Sequence, residues 1–166
     1  ALLRALVFTG VGHEKILQHF VLGAQLRVDA AEFSLNHATA RFDVGVNKMN
    51  AEHENLVGLM NRIHDRATAG AAKAELDGLL KKLAEATVAH FADEEAYMAS
   101  VAFPDLKSHK LIHQKLLTDF TAHKARFDAG HGELEKGFFD FLSLWLRSHI
   151  CHVDAKYNPR GARKAG

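Results

Sequence analysis

The chain has 166 residues, 48% hydrophobic and 25% charged, with a formal net charge of +1. That length supports one domain with a sizeable core and leaves room for an extension. The near-neutral balance argues against a nucleic-acid groove or a polybasic membrane patch, so neither partner is expected, and a single cysteine, Cys151, excludes an internal disulfide framework and fits a reducing, cytoplasmic setting.

Residues 1–12 (ALLRALVFTGVG) are partly apolar but interrupted by Thr9 and Gly10. The stretch is too short to span a membrane and lacks a clear signal-peptide cleavage pattern. Position 1 is Ala and not Met, which is compatible with a piece of a longer protein. From about His13 to Asn36, Ile16, Leu17, Phe20, Val21, Ala24 and Val28 recur at helical spacing. Residues 1–40 are therefore expected to form a helical extension or linker. It would pack on the domain, mediate dimerisation, or reach a partner domain. The short Phe42–Val46 stretch suits extended chain.

From about Met49 to Tyr157 the sequence divides at three breaks: Ala69-Gly70-Ala71-Ala72, Val101 to Asp105 around Pro104, and Asp128 to Gly132. Between them the apolar residues repeat with helical period. Leu56, Leu59, Met60 and Ile63 mark the first segment, and Leu76, Leu79, Leu80 and Leu83 the second. Leu116, Leu117 and Phe120 mark the third, and Phe138, Phe141, Leu142 and Trp145 the fourth. The expected fold is all-α: an up-down-up-down antiparallel four-helix bundle over residues 41–158, followed by a tail at 159–166.

Histidine is the unusual component, with 12 in the chain. His53, His90, Glu94, His109, His113, His149 and Asp154 form the pattern H…HxxxE…HxxxH…HxxxxD. Five imidazoles and two carboxylates suffice to hold two metal ions. In an antiparallel hairpin, residues equally far from the turn lie at one height. His53 and His90/Glu94 are centred near residue 72, His90/Glu94 and His109/His113 near residue 101, and His109/His113 and His149/Asp154 near residue 131. Each centre falls on or beside a break. Three hairpins thus place all seven residues in one layer, roughly 10 Å from the Pro104 end and about 28 Å from the other.

The pairs His90/Glu94 and His109/His113 are four apart and share a helix face. Asp154 follows His149 by five residues, about 140° around an ideal helix. For both to reach one cluster, the metals must straddle the bundle axis or the helix must distort locally, for instance through a π-type turn.

These residues, the HFADEEAYM run around His90, the Phe103-Pro104 turn and WLRSHICHVDAKY around His149 resemble the bacterial hemerythrins from about Arg41 to Asn158. Hemerythrins are non-haem di-iron oxygen-binding proteins. The resemblance implies two Fe ions. His109, His113 and His149 would hold one, and His53 and His90 the other. Glu94 and Asp154 would bridge them, with a solvent-derived oxo or hydroxo group as third bridge. The second iron would keep an open position for O2, and Leu146 matches the apolar position lining the oxygen pocket. Imidazole and carboxylate donors suit iron. Other di-iron bundles use four carboxylates and two histidines; two carboxylates here give less anionic charge to stabilise high-valent iron, which favours reversible binding over substrate oxidation.

The chain departs from the family at Asn50 and Glu52, where an acidic residue and Gln are usual, and at Ala38, near the place of a common tryptophan. Such changes bear on hydrogen bonding behind the ligands and on autoxidation. Other residues read blandly. His13, His19, His37, His64, His123, His131 and His152 suit the surface or boundary, with His152 the nearest in sequence to the site. Cys151 suits packing, Glu95 solvent or a position behind a ligand, and Trp145 the core. The expected function is reversible O2 binding for carriage or storage, and the chain is not expected to be an enzyme. The alternatives are an oxygen or redox sensor module, and a di-iron enzyme acting on peroxide or nitric oxide. Zinc or manganese could occupy the same donors.

Overall fold

The computed structural model describes residues 43–158. The helix expected over His13–Asn36, the rest of the extension up to residue 42 and the tail from residue 159 lie outside the described residues. Four helices follow one another: α1 (Asn47–Thr68), α2 (Lys73–Ser100), α3 (Leu106–Ala129) and α4 (Lys136–Leu144). The chain of α4 then widens into a π-helical segment, Trp145–Val153, and closes with a 3₁₀ turn, Asp154–Tyr157. There is no strand among the described residues, and Val46, just before α1, is extended (φ −123°, ψ 107°). No helix among them is long and apolar enough to cross a membrane.

Each helix forms because its apolar residues make one stripe. Helix α1 buries Met49, Leu56, Val57, Met60 and Ile63, and α2 buries Leu76, Leu79, Leu80, Leu83, Phe91 and Met98. The same stripes carry His53 and His90/Glu94, so the residues that build the core also aim the polar groups inward. The turns obey local backbone chemistry. Gly70 takes the left-handed conformation (φ +72°) that ends α1, and Ala71 N–H donates to the Arg66 carbonyl at 2.9 Å. Gly132 (φ +95°) sits against α2, where a Cβ would come within 2.6 Å of Lys73 Cβ. The Lys73 ammonium donates to the carbonyls of Asp128 (2.7 Å) and Gly130 (2.9 Å), so it caps the end of α3.

Side-chain pairs show the antiparallel order. Arg66 late in α1 meets Glu75 early in α2 at 2.6 Å, and Glu95 late in α2 meets Lys110 early in α3 at 3.1 Å. His123 of α3 packs edge-on to Phe138 of α4. His64 packs on Phe139, and His53 approaches Asp154, so the last helix returns to the first and closes the bundle. The end near Gly70 and Gly132 is filled by Leu56, Met60, Ile63, Leu80, Leu83, Phe120, Phe127, Phe138 and Leu142, all buried. At about 2 kcal/mol for each large side chain, this apolar fill supplies the driving force that holds a polar layer in the interior.

Candidate metal centre

The seven residues singled out by spacing converge in one buried layer; none of their side chains exceeds 3% exposure. Helix α1 brings His53, α2 brings His90 and Glu94, and α3 brings His109 and His113. The π-helical segment brings His149, and the 3₁₀ turn after it brings Asp154. The last pair resolves the five-residue spacing by helix distortion. Asp154 N–H donates to the carbonyl of His149, an i→i+5 bond that brings both side chains to the same cluster.

The donor atoms fall into two groups that share Glu94. One contains Glu94, His109, His113 and His149, the other His53, His90, Glu94 and Asp154; within each, the donor atoms lie within 4.8 Å of one another. Opposite ligands of one ion bound at about 2.1 Å stand roughly 4 Å apart, so each group fits one metal. Asp154 also lies between the groups. Its Oδ1 is 3.3 Å from the Nε2 atoms of both His109 and His149, and its Oδ2 is 3.5 Å from His53 Nε2.

Two further carboxylates fix ring orientation. His90 Nδ1–H donates to Glu52 Oε2 at 2.9 Å, and His113 Nδ1–H donates to Glu95 Oε1 at 3.0 Å. With the proton on Nδ1, each ring turns an unprotonated Nε2 inward. His113 Nε2 lies 3.0 Å from Glu94 Oε2. Both nitrogens of His53 and of His149, His113 Nε2 and both oxygens of Asp154 are buried with no hydrogen-bond partner. Each such atom costs about 1–3 kcal/mol when left alone. The Nε2 atoms of His53, His113 and His149 lie beside the Asp154 and Glu94 carboxylates, an arrangement that cations among them would stabilise, so this donor set fits a metal pair.

The electrostatics agree. Burial pushes Glu94 and Asp154 up, but neighbouring imidazoles outweigh it: His109 and His113 at Glu94, and His149 and His109 at Asp154. Both carboxyls end below their usual range and stay ionised. Burial lowers His90 and His149 to about 4, so they are neutral donors. Burial also works against His109, but Asp154 and Glu94 together raise it to about 9, so without metal it holds a proton between the two carboxylates. Burial and the adjacent Asp93 raise Glu52.

Sequence reasoning missed Tyr157 as a site residue. Its hydroxyl donates to Glu94 Oε1 at 2.5 Å, and burial together with the Glu94 and Asp154 charges raises its pKa. Phe91 was also missed; its ring stacks on His113 with centroids 3.7 Å apart. Both follow the cluster residues by short helical steps, Phe91 directly after His90 and Tyr157 three residues after Asp154, the one available signal. Glu95, expected in solvent or behind a ligand, takes the second place. Leu146 is buried in the π-helical segment, one turn before His149. His152, the nearest other histidine in sequence, is exposed and donates to the carbonyl of Arg147 at 2.8 Å, so it does not join the cluster. Cys151 is half-buried against the core.

Comparison with known proteins gives one consistent picture. The Hemerythrin HHE cation binding domain family matches residues 44–160. The chain is 31% identical to a bacteriohemerythrin of Methylococcus capsulatus over 120 residues, 72% of this chain and 91% of that protein. It is 34% identical to a hemerythrin-like protein of Naegleria gruberi over 116 residues, 70% of this chain and 85% of that one. A crystal structure of wild-type hemerythrin superposes with a TM-score of 0.67 at 30% identity, over 73% of this chain and 92% of the other.

Proposed function

The chain belongs to the hemerythrin family, a family of non-haem iron proteins that bind oxygen, and from this we propose that it binds O2 reversibly at a di-iron centre, for carriage or storage. His109, His113 and His149 would hold one iron, and His53 and His90 the other, with Glu94 and Asp154 shared between them. The observation that carries this reading is the meeting of seven buried donors in two groups around Glu94. When bound, the iron pair supplies the electrons that hold O2 reversibly.

The remaining chemistry belongs to the chain. The two shared carboxylates would offset half the charge of two ferrous ions, and imidazoles would complete the donors. The His53/His90 group has one imidazole fewer than the other, and by the family resemblance the iron held there would keep the open position for a small ligand. Glu94 is fixed by the Tyr157 hydroxyl, so its second oxygen stays directed at the histidines. Phe91 and Trp145, both buried, wall the layer, and Leu146 is assigned to the O2 pocket. An apolar wall of this kind would keep water and protons out of the layer and so favour reversible over irreversible chemistry there. Only two of the seven donors are anionic, which favours reversible binding over attack on a substrate. The single Cys151 suits a reducing, cytoplasmic setting for such a store.

The test is spectrophotometric. The iron-loaded chain is reduced without oxygen, exposed to air, and then flushed with argon. An oxygen-dependent charge-transfer band that disappears on flushing is expected. Oxidation that is complete within the mixing time and does not reverse would replace oxygen storage with redox sensing or enzymatic turnover.

A further inference from the structure

Two histidines of the buried layer, one in each donor group, carry a carboxylate on their outward nitrogen. Glu52 Oε2 accepts from His90 Nδ1 at 2.9 Å, and Glu95 Oε1 accepts from His113 Nδ1 at 3.0 Å. The arms are alike in length and differ in what stands behind them. The Lys110 ammonium lies 3.1 Å from Glu95 Oε2, so part of that carboxylate's charge is already engaged. Lys48 turns elsewhere: it lies 2.7 Å from Asp93 and only 3.9 Å from Glu52. Behind Glu52 stands Asp93, a like charge that raises its basicity, and the nearest cation, Lys48, is shared with that aspartate, so the short ionic contact of Glu52 is with the imidazole. Both carboxylates are largely sheltered, at 22% and 25% exposure, where solvent screens their charge only in part.

A carboxylate on the far nitrogen of a ligating imidazole fixes its tautomer and raises the basicity of the inward nitrogen. A more basic donor stabilises the higher oxidation state of the metal it holds. We propose that Glu52 is a positioning residue that directs more charge through His90 than Glu95 directs through His113, so that the two metal positions are electronically unequal. The position favoured for ferric iron is then the one with fewer histidines, where the small ligand enters. This assignment rests on the di-iron reading above. Its consequence is regulatory: the strength of the Glu52 arm sets how readily the centre gives up electrons.

The test compares Glu52→Gln with Glu95→Gln in the iron-loaded full chain. Glutamine keeps the acceptor and the size and removes the charge. The readout is the ratio of reduced to oxidised iron at fixed applied potential, followed by spectroelectrochemistry. Glu52→Gln is expected to raise that ratio about tenfold, a positive shift of about 59 mV for one electron. Glu95→Gln is expected to move it by clearly less, with iron content and helical circular dichroism equal to the parent in both. Equal shifts, or no shift in Glu52→Gln, would overturn the proposal. If Glu52→Gln does not retain iron, nitrogen-15 NMR of the metal-free parent chain decides. A proton on His90 Nδ1 with Nε2 bare upholds the arm, and a proton on Nε2 overturns it. A parent that shows the Nδ1 proton yet binds no iron pair would defeat the di-iron reading and not the geometry of the arm.

Discussion

Stripping the metal should give this chain a peaked dependence of stability on pH, and loading the metal should flatten its alkaline side. In the metal-free fold, His90 and His149 titrate near 4 because burial penalises their charged form, against an ordinary value of 6.5. Between these values the unfolded chain binds more protons than the folded one. Stability therefore falls as the pH drops from about 6.5 toward 4, by about 3 kcal/mol for each histidine. His109 behaves oppositely. Burial lowers its pKa, but Asp154 and Glu94 overcome this and raise it to about 9. Its contribution, again about 3 kcal/mol, is complete below pH 6.5 and is lost as the pH rises through 9. Glu94 and Asp154, held below the usual range, lose their contribution only in strong acid. Against a total stability of about 5–15 kcal/mol, either limb is easily measured. A metal needs His109 without its proton, so binding removes the alkaline limb and strengthens with pH up to about 9. Urea titrations of stripped and loaded chain, from about pH 4 to about pH 10, test this. A stripped chain equally stable at both ends of the interval from 6.5 to 9 would refute the placement of a shared proton on His109.

Four substitutions probe other parts of the account. His109→Ala removes the imidazole standing 3.3 Å from both Glu94 and Asp154, and should lose metal together with about 3–5 kcal/mol of stability; unchanged metal content on elemental analysis would contradict the ligand set. Tyr157→Phe keeps the ring contacts with Tyr97 and Phe103 but removes the donor to Glu94, for an expected loss of about 2 kcal/mol on urea denaturation. Gly132→Ala must place a Cβ 2.6 Å from Lys73 Cβ at φ +95°, and should lower stability by about 1–3 kcal/mol without changing metal content. Leu146→Gln should speed autoxidation of the oxygenated protein, measured by decay of its absorbance; an unaltered rate would remove Leu146 from the pocket.

The bundle was legible because its punctuation is strong. Gly70, Pro104 and the Gly130/Gly132 pair interrupt runs whose apolar period is plainly helical, and helices joined by short breaks have to run antiparallel. The polar layer was legible for the same reason: residues mirrored about each break must meet. The five-residue step from His149 to Asp154 also announced itself, since a regular helix turns those side chains about 140° apart. The π-helical winding supplies the correction, through the bond from Asp154 N–H to the His149 carbonyl. What the pattern could not locate lies just beyond regular winding. Tyr157 reaches Glu94 only because the 3₁₀ turn after Asp154 brings it inward. Glu52 neighbours His53 in sequence but serves His90 across the helix pair, a partnership that depends on how α1 and α2 are rotated against each other. Periodicity does not set that rotation to within a side chain. His152 shows the converse: three residues from His149 in sequence, it is exposed.

The central claim is a pair of irons held by seven residues of one chain, and Mössbauer spectroscopy of iron-57-loaded protein with quantified iron tests it most directly. Two irons per chain, magnetically coupled through their bridges when oxidised, are predicted. A single uncoupled iron per chain, or iron in two unrelated sites, would contradict it.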